Sequence, residues 1–290
     1  MGIKEGRVVA NGLEFAYLEA GHGPLALCLH GFPDSAHTWR HLLPQLADAG
    51  YHAVAPFLRG YAPTAVPADG RYQSGVLSQD AIALHEVLGG GPDAAIVGHD
   101  WGAPAAYGAA VSAPDRWSKV VGMAVPPGPA LGQAIVTNPD QLKRSWYMFF
   151  FQHPLADLVV PLDDLAFVDR LWADWSPGFD ATEELALLKP SLRDPANLGA
   201  ALGYYRATVG GVGNDPALAD LQAATQACPP QPVLYLHGSG DGCIGVEVAE
   251  LANDLLPEHV RVHEIDFAGH FLHLERPAEV HELVLGFLAS

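Results

Sequence analysis

Cysteine is scarce in this chain. Cys28, Cys228 and Cys243 are scattered over 290 positions, too few and too far apart for a disulfide framework or a zinc site. A single disulfide stays open, and a reducing cytoplasm is the simpler expectation. Basic residues are scarce as well: Lys plus Arg is 15 against 33 Asp plus Glu, a formal net charge of -18. Such a chain lacks the basic face that nucleic acid or an anionic membrane surface requires. Charged residues make up only 17% against 49% hydrophobic, which excludes a disordered chain. Long apolar runs are missing too. The most apolar stretch, residues 120–136, is interrupted by Pro126, Pro127 and Pro129 and is too short to span a bilayer. Residues 1–7 have no apolar stretch behind their charges, and position 6 is Gly6 rather than Ser or Thr. Neither a secretory leader nor myristoylation is expected. The length suits one large domain, or one domain carrying an insertion.

The apolar residues that are present follow a strand–helix rhythm. Positions 7–10 and 13–17 read as two strands around an Asn11-Gly12 turn. Residues 25–30 are continuously apolar up to His30, the mark of a strand buried on both faces. Ser35 is placed to cap a helix running to Ala49, with Gly50 as its stop. Strands are expected at 51–57, 94–97 and 119–125, and a helix at 79–88 that stops at Gly89-Gly90-Gly91. Pro104 is tolerable only in a first turn, so a helix should open near Trp101. From about Pro126 to Asp215 the rhythm stops, and the chain is aromatic, loop-rich and helical with no clear strand. It resumes with strands at 232–237 and 260–265 and helices at 246–256 and 277–288. The expected architecture is α/β, a mostly parallel central sheet flanked by helices. Residues 1–125 and 216–290 would form its core, and 126–215 an inserted helical unit.

Several residues sit where chemistry is possible. Gly98-His99-Asp100-Trp101-Gly102 lies between a buried strand and a helix start. That is the spacing of a nucleophile elbow, G-x-S-x-G, with Asp in place of Ser. A residue at its tip projects over the C-terminal edge of the sheet, at a helix N-terminus that favours a carboxylate. A bare helix cap would also suit Asp100, but the flanking glycines and the preceding strand favour the elbow. His30-Gly31-Phe32-Pro33-Asp34 follows another buried strand. Its turn could aim the Phe32 N–H at the same edge, where the Trp101 N–H would complete a two-donor oxyanion hole. Asp241 and His270 each follow a strand, on the functional edge of a doubly wound sheet. The order nucleophile, acid, histidine is that of this hydrolase type. Alone, each would read as a turn former or a solvated side chain.

Taken together, these motifs make the chain resemble an α/β-hydrolase of the epoxide hydrolase and haloalkane dehalogenase branch, from about Gly6 to Leu288. His30-Gly-Phe-Pro33 and Gly98-His-Asp-Trp-Gly102 are close to the epoxide hydrolase motifs. The resemblance implies an α/β-hydrolase fold whose cap (lid) domain is the inserted unit. It implies Asp100 as nucleophile, His270 as base, Asp241 as the acid orienting it, and Phe32 and Trp101 as backbone donors. Epoxide hydrolases use two cap tyrosines on the epoxide oxygen. The segment Ser145 to Gln152 resembles the first and places it at Tyr147. Gly203-Tyr204-Tyr205-Arg206 resembles the second and places it at Tyr205, with Tyr204 as the fallback. Dehalogenases cradle a halide instead. Trp101 would suit one donor, but Phe32 stands where an Asn often serves, and Pro126-Pro127-Gly128 carries no carboxylate.

The implied reaction is hydrolysis of an epoxide to a vicinal diol. A carboxylate attacks saturated carbon without prior deprotonation and becomes an alkyl ester; tyrosines protonate the leaving alkoxide. Water activated by His270 then cleaves the ester, with the oxyanion held by backbone N–H groups. No metal or organic cofactor is needed. The expected partners are a small apolar epoxide and water, with neither nucleic acid nor membrane, and a homodimer left open. A haloalkane dehalogenase, or a ligand-binding homologue without catalysis, are the alternatives. Gly238-Ser-Gly240 imitates a dinucleotide fingerprint, but Cys243 stands at its sixth position and Asp241 would repel a pyrophosphate. His263, His270, His273 and His281 lack metal-ligand spacing and read as solvated histidines.

Overall fold

In the computed structural model, which describes residues 2–290, eight strands form one sheet in the order β1-β2-β4-β3-β5-β6-β7-β8. β1 (Lys4–Ala10) and β2 (Leu13–Gly21) form a hairpin on the Asn11-Gly12 turn, both turn residues having positive φ. This is the turn chemistry such a hairpin demands. β2 runs antiparallel to β4 (His52–Pro56). β3 (Leu25–Leu29), β4, β5 (Ala95–His99), β6 (Lys119–Met123), β7 (Val233–Gly238) and β8 (Val260–Ile265) are mutually parallel. Strands β3, β5 and β7 are buried at every position, while the edge strands β1 and β8 are largely exposed. Continuous apolar runs thus mark strands with helices on both faces.

Register is what builds the site. Leu29 pairs with Gly98, Gly98 with Gly122, and Gly122 with Tyr235. The strands therefore end together, and the loops after β3, β5, β7 and β8 open on one edge.

On the first half of the sheet lie α1 (Leu42–Asp48), α2 (Ser74–Val87) and α3 (Gly102–Ser112). The helix expected from Ser35 to Ala49 is broken. A 3-10 turn covers Ala36–Trp39, and α1 starts afresh at Leu42. Pro44 is the cause: it has no N–H for the carbonyl four residues back, so it must fall in a first turn. Ser35 accordingly makes no side-chain cap bond. Gly50 does end the segment, with φ 92. Pro104 sits in the first turn of α3, as expected.

Between β6 and β7 the described residues form no strand. The segment carries α4 (Ala130–Thr137), α5 (Pro139–Arg144), α6 (Trp146–Phe150), α7 (Ala156–Val159), α8 (Leu162–Trp175), α9 (Thr182–Leu188), α10 (Pro195–Gly210) and α11 (Ala219–Ala224). The chain returns with α12 (Val246–Leu255), α13 (Leu272–Glu275) and α14 (Pro277–Ala289). Among the described residues no helix is long and apolar enough to cross a membrane.

Candidate active site

Asp100 sits in the turn between β5 and α3 with φ 50. A left-handed non-glycine residue is strained by about 1–3 kcal/mol, and persists only where its surroundings enforce it. Here they do. A Cβ at Gly98 would collide with the Gly102 backbone, and one at Gly102 with the Leu29 carbonyl. The two glycines let strand, turn and helix close onto each other, and Asp100 is carried at the tip.

The loop after β3 meets that tip. The Phe32 N–H donates to Asp100 Oδ1 at 2.7 Å. The Phe32–Pro33 peptide bond is cis. Trp101 immediately precedes α3, where backbone N–H groups have no partner within the helix. One carboxylate oxygen, Oδ1, is thus held by the backbone. The other, Oδ2, lies 3.6 Å from His270 Nε2.

His270 follows β8 and Asp241 follows β7. His270 Nδ1 donates to Asp241 Oδ2 at 2.8 Å. Asp241 Oδ1 accepts the Cys243 and Ile244 N–H groups at 2.7 and 2.9 Å. Both loops are tied to the end of α8, where the Trp175 carbonyl accepts N–H bonds from Gly242 and His270, each at 3.0 Å. His270 Nε2 is buried and has no hydrogen-bond partner. It is the ring atom left free to meet a water.

The electrostatics follow from burial. Burial alone would lower the His270 imidazole, but the Asp241 and Asp100 carboxylates outweigh it and raise it to about 10. Burial would raise the Asp241 carboxyl, yet His270 holds it below its ordinary value. The arrangement is a buried imidazole flanked by two carboxylates that favour its charged form.

Above Asp100 a cavity of about 70 Å³ is lined by Trp101, Val125, Tyr147, Met148, Tyr205 and Ile244, among others. Its walls are largely apolar, with Trp101, Tyr147 and Tyr205 as the aromatic members. Tyr205 meets Phe32, Trp101, Tyr147 and Phe151 edge to face, with ring centroids 5.0–5.5 Å apart. Tyr147, on α6, and Tyr205, on α10, are both buried, and burial pushes their phenols well above the ordinary value. Their hydroxyls differ. Tyr205 Oη faces the Trp101 side chain without forming a well-aligned hydrogen bond among the described residues, whereas Tyr147 Oη lies 3.3 Å from Cys243 Sγ. Tyr204, the fallback for the second tyrosine, is engaged elsewhere: its hydroxyl donates to the Arg59 carbonyl at 2.8 Å. The structure therefore gathers Asp100, Phe32, Trp101, Asp241, His270, Tyr147 and Tyr205, and leaves Tyr204 aside. A larger open groove of about 730 Å³, bordered by Arg7, Tyr17 and Leu187, contains none of these residues.

Two features escaped the sequence reading. His273 and His281 are not solvated but buried. His273 bonds Thr38 Oγ1 and stacks on Trp39, and His281 bonds Gln45. The closing turns α13 and α14 pack these rings against the loop after β3 and against α1, which no local spacing reveals. Two groups, Asp34 with His99 and His273, and Asp241 with Cys243 and His270, bring donor atoms within 4.8 Å of each other. In the first, burial lowers both imidazoles and raises the Asp34 carboxyl to about 8. His99 Nε2 donates to the His270 carbonyl at 2.9 Å. The second group belongs to the acid and base already described. Cys243 was legible as a neighbour of Asp241, two positions on, but not as a partner of Tyr147.

Comparison with known proteins identifies the family. Residues 24–277 match the family described as alpha/beta hydrolase fold. Epoxide hydrolase A of Mycobacterium tuberculosis is 33% identical, covering 100% of this chain and 99% of that protein. An epoxide hydrolase of Caballeronia sordidicola is 30% identical, covering 100% of this chain and 94% of that protein. The crystal structure of a Bacillus megaterium epoxide hydrolase with an inhibitor superposes with a TM-score of 0.82 at 27% identity, covering 98% of this chain and 100% of that one. The chain belongs to the α/β-hydrolase fold family and groups there with the epoxide hydrolases.

Proposed function

We propose that this protein hydrolyses a small apolar epoxide to a vicinal diol through an ester on Asp100. The observation that carries the reading is one cavity holding a carboxylate and two buried phenols, Tyr147 and Tyr205. An ester hydrolase needs no such phenols, and a mere binder needs no strained carboxylate.

The steps follow from which atoms are occupied. Asp100 Oδ1 is held by the Phe32 N–H, so Oδ2 attacks the epoxide carbon from the side away from its oxygen. The C–O bond of the ring breaks, and a tyrosine gives its proton to the oxygen. An alkoxide is a stronger base than a phenolate, and burial disfavours both anions, so the proton moves toward the ring oxygen. Ester formation removes the charge of Asp100. That leaves Asp241 alone to favour the charged ring; the Nε2 proton passes through solvent to the phenolate, and the neutral imidazole becomes a usable base. Water on His270 Nε2 then attacks the ester carbonyl. The negative charge develops on Oδ1, where the Phe32 N–H already points and the Trp101 N–H adds a second donor. Collapse breaks the ester C–O bond, the leaving alkoxide takes the proton His270 drew from water to give the diol, and the acid returns its proton to the imidazole, restoring the carboxylate. Asp241 orients His270 and supports its charged form.

Residues 126–215 act as a cap in this reading, since they supply both tyrosines and the Trp175 carbonyl. Removal of an alkylating electrophile is a detoxifying role. Three free thiols suit a reducing cytoplasm.

A halide-releasing reading has one observation in favour: Trp101 Nε1 is buried without a partner. The test offers styrene oxide and 1-bromobutane to the purified protein in parallel. Diol formation without bromide release is expected. Bromide release without diol overturns the reading, and turnover of neither leaves a binding protein.

A further inference from the structure

Cys243 stands two residues after Asp241 and is buried against Tyr147, which lines the cavity. Its Sγ lies 3.3 Å from Tyr147 Oη, within reach for a sulfur hydrogen bond. Its backbone is fixed from two directions. The Cys243 N–H donates to Asp241 Oδ1 at 2.7 Å, and its carbonyl accepts from Gln141 Nε2 at 3.0 Å. Gln141 also bonds Ser145 Oγ at 3.0 Å, at the start of the helix that carries Tyr147. Thiol and phenol are therefore held in register by one side chain. Burial, with the Asp241 and Asp100 carboxylates nearby, pushes the Cys243 thiol well above its ordinary value, so it keeps its proton.

The direction of the Tyr147–Cys243 bond depends on what the tyrosine must do. A phenol that donates to an epoxide oxygen has spent its only hydrogen and can still accept one. The remaining hydrogen on the pair is that of the thiol. Resting on the reading of the cavity as an epoxide site, we propose that Cys243 is a positioning residue for Tyr147. The S–H donates to Tyr147 Oη, turns the phenol proton into the cavity, and supports the phenolate left once that proton passes to the epoxide oxygen. The bonds balance without a further reactant. Asp100 Oδ2 gains the carbon, the ring oxygen loses it and gains the Tyr147 proton, and the S–H bond stays intact. The phenolate regains, through solvent, the proton that His270 gives up once Asp100 is esterified. The same retained proton keeps the thiol from competing with Asp100, since the thiolate is the nucleophilic form.

Tyr205 has no such partner, so the two phenols are not equivalent. The proposal concerns coupling between two named atoms, which a double-mutant cycle isolates. Single-turnover alkylation of styrene oxide is measured in wild type, Cys243→Ala, Tyr147→Phe and the pair, with thermal melts alongside. A hydrogen bond to a developing charge is worth about tenfold in rate at the weak end of the range. Cys243→Ala should therefore slow alkylation about tenfold in wild type. In the Tyr147→Phe background it should change it less than about twofold, because no phenolate is left to support. Cys243→Ser keeps a donor and should recover most of the rate. Equal slowing in both backgrounds, or no slowing in wild type, overturns the proposal. If Cys243→Ala does not fold, Cys243→Val fills the space without a donor and carries the same comparison. The epoxide reading fails separately: wild type would not consume the epoxide, or Tyr147→Phe and Tyr205→Phe would together alkylate at the wild-type rate.

Discussion

Tyr205→Phe should slow the enzyme and, at the same time, leave it as stable or make it more so. Tyr205 is 1% exposed, and its buried hydroxyl makes no well-aligned hydrogen bond among the described residues, only a weak approach to the Trp101 side chain. A buried, unpartnered hydroxyl costs about 1–3 kcal/mol, less if a water enters the cavity beside it. Phenylalanine keeps the four edge-to-face ring contacts and removes only that cost. In a chain of this size each kcal/mol is worth about 2–4 °C in Tm, so the variant should melt at the wild-type temperature or a few degrees higher. The rate should move the other way. A hydrogen bond to a charged oxygen is worth about 1.5–3 kcal/mol, which is about 10- to 150-fold in the alkylation step. The hydrolysis of the ester makes no use of the phenol and should be nearly unchanged. Rapid-quench kinetics with styrene oxide separate the two steps, and calorimetry gives Tm. A variant that melts several degrees lower while alkylating at the wild-type rate would show that the hydroxyl is a packing element. It would refute the assignment of the orphaned oxygen to the reaction.

Further outcomes follow from the same geometry. His270→Gln should still form the ester but hydrolyse it at least about 10²-fold more slowly, so intact-protein mass spectrometry should find enzyme plus substrate, mapped to the peptide with Asp100; an adduct elsewhere displaces the nucleophile. Asp241→Asn should slow hydrolysis more than alkylation, because His270 loses the partner on Nδ1, and equal losses in both steps by rapid quench would make Asp241 structural. Stability should depend on His270 in a stated window. Its folded value, raised to about 10, exceeds the ordinary value of about 6.5, so its contribution is complete below pH 6.5 and is lost as pH rises through about 10. Denaturant unfolding at stepped pH should show that decline in wild type and lose it in His270→Gln. Tyr204→Phe removes a bond to the Arg59 carbonyl and should cost about 0.5–1.5 kcal/mol of stability with little effect on the rate of alkylation; a large rate loss in a folded variant would return Tyr204 to the reaction.

The sheet was legible because its signal is local. A run such as residues 25–29 is buried on both faces, and its continuous apolarity says so. The elbow was legible because Gly98 and Gly102 have no other explanation than close approach, which the structure supplies through the Gly102 and Leu29 backbones. The helix expected from Ser35 went wrong where two local signals disagreed. Ser35 suits a cap, but Pro44 lacks the backbone donor that a helix continuing from Ser35 would need.

The buried histidines failed for a different reason. His273 and His281 are polar letters in a helical, surface-like context, and only the docking of α13 and α14 removes them from water. The choice between Tyr204 and Tyr205 was of the same kind. Adjacent residues on a helix point about 100° apart, so one of them must face away, but sequence does not say which. The Arg59 carbonyl, 145 positions from Tyr204, decides it by taking that hydroxyl. The same logic separates Tyr147 from Tyr205. Their sequence motifs treat them as a pair, and both line the cavity. What distinguishes them is a thiol 96 positions from Tyr147, placed by the acid loop after β7. That loop therefore touches both halves of the reaction: Asp241 orients the base that cleaves the ester, and Cys243 meets one acid that helps to form it. A substitution in the acid loop should accordingly disturb alkylation through position 243 and hydrolysis through position 241, and the two effects are separable by which half-reaction slows.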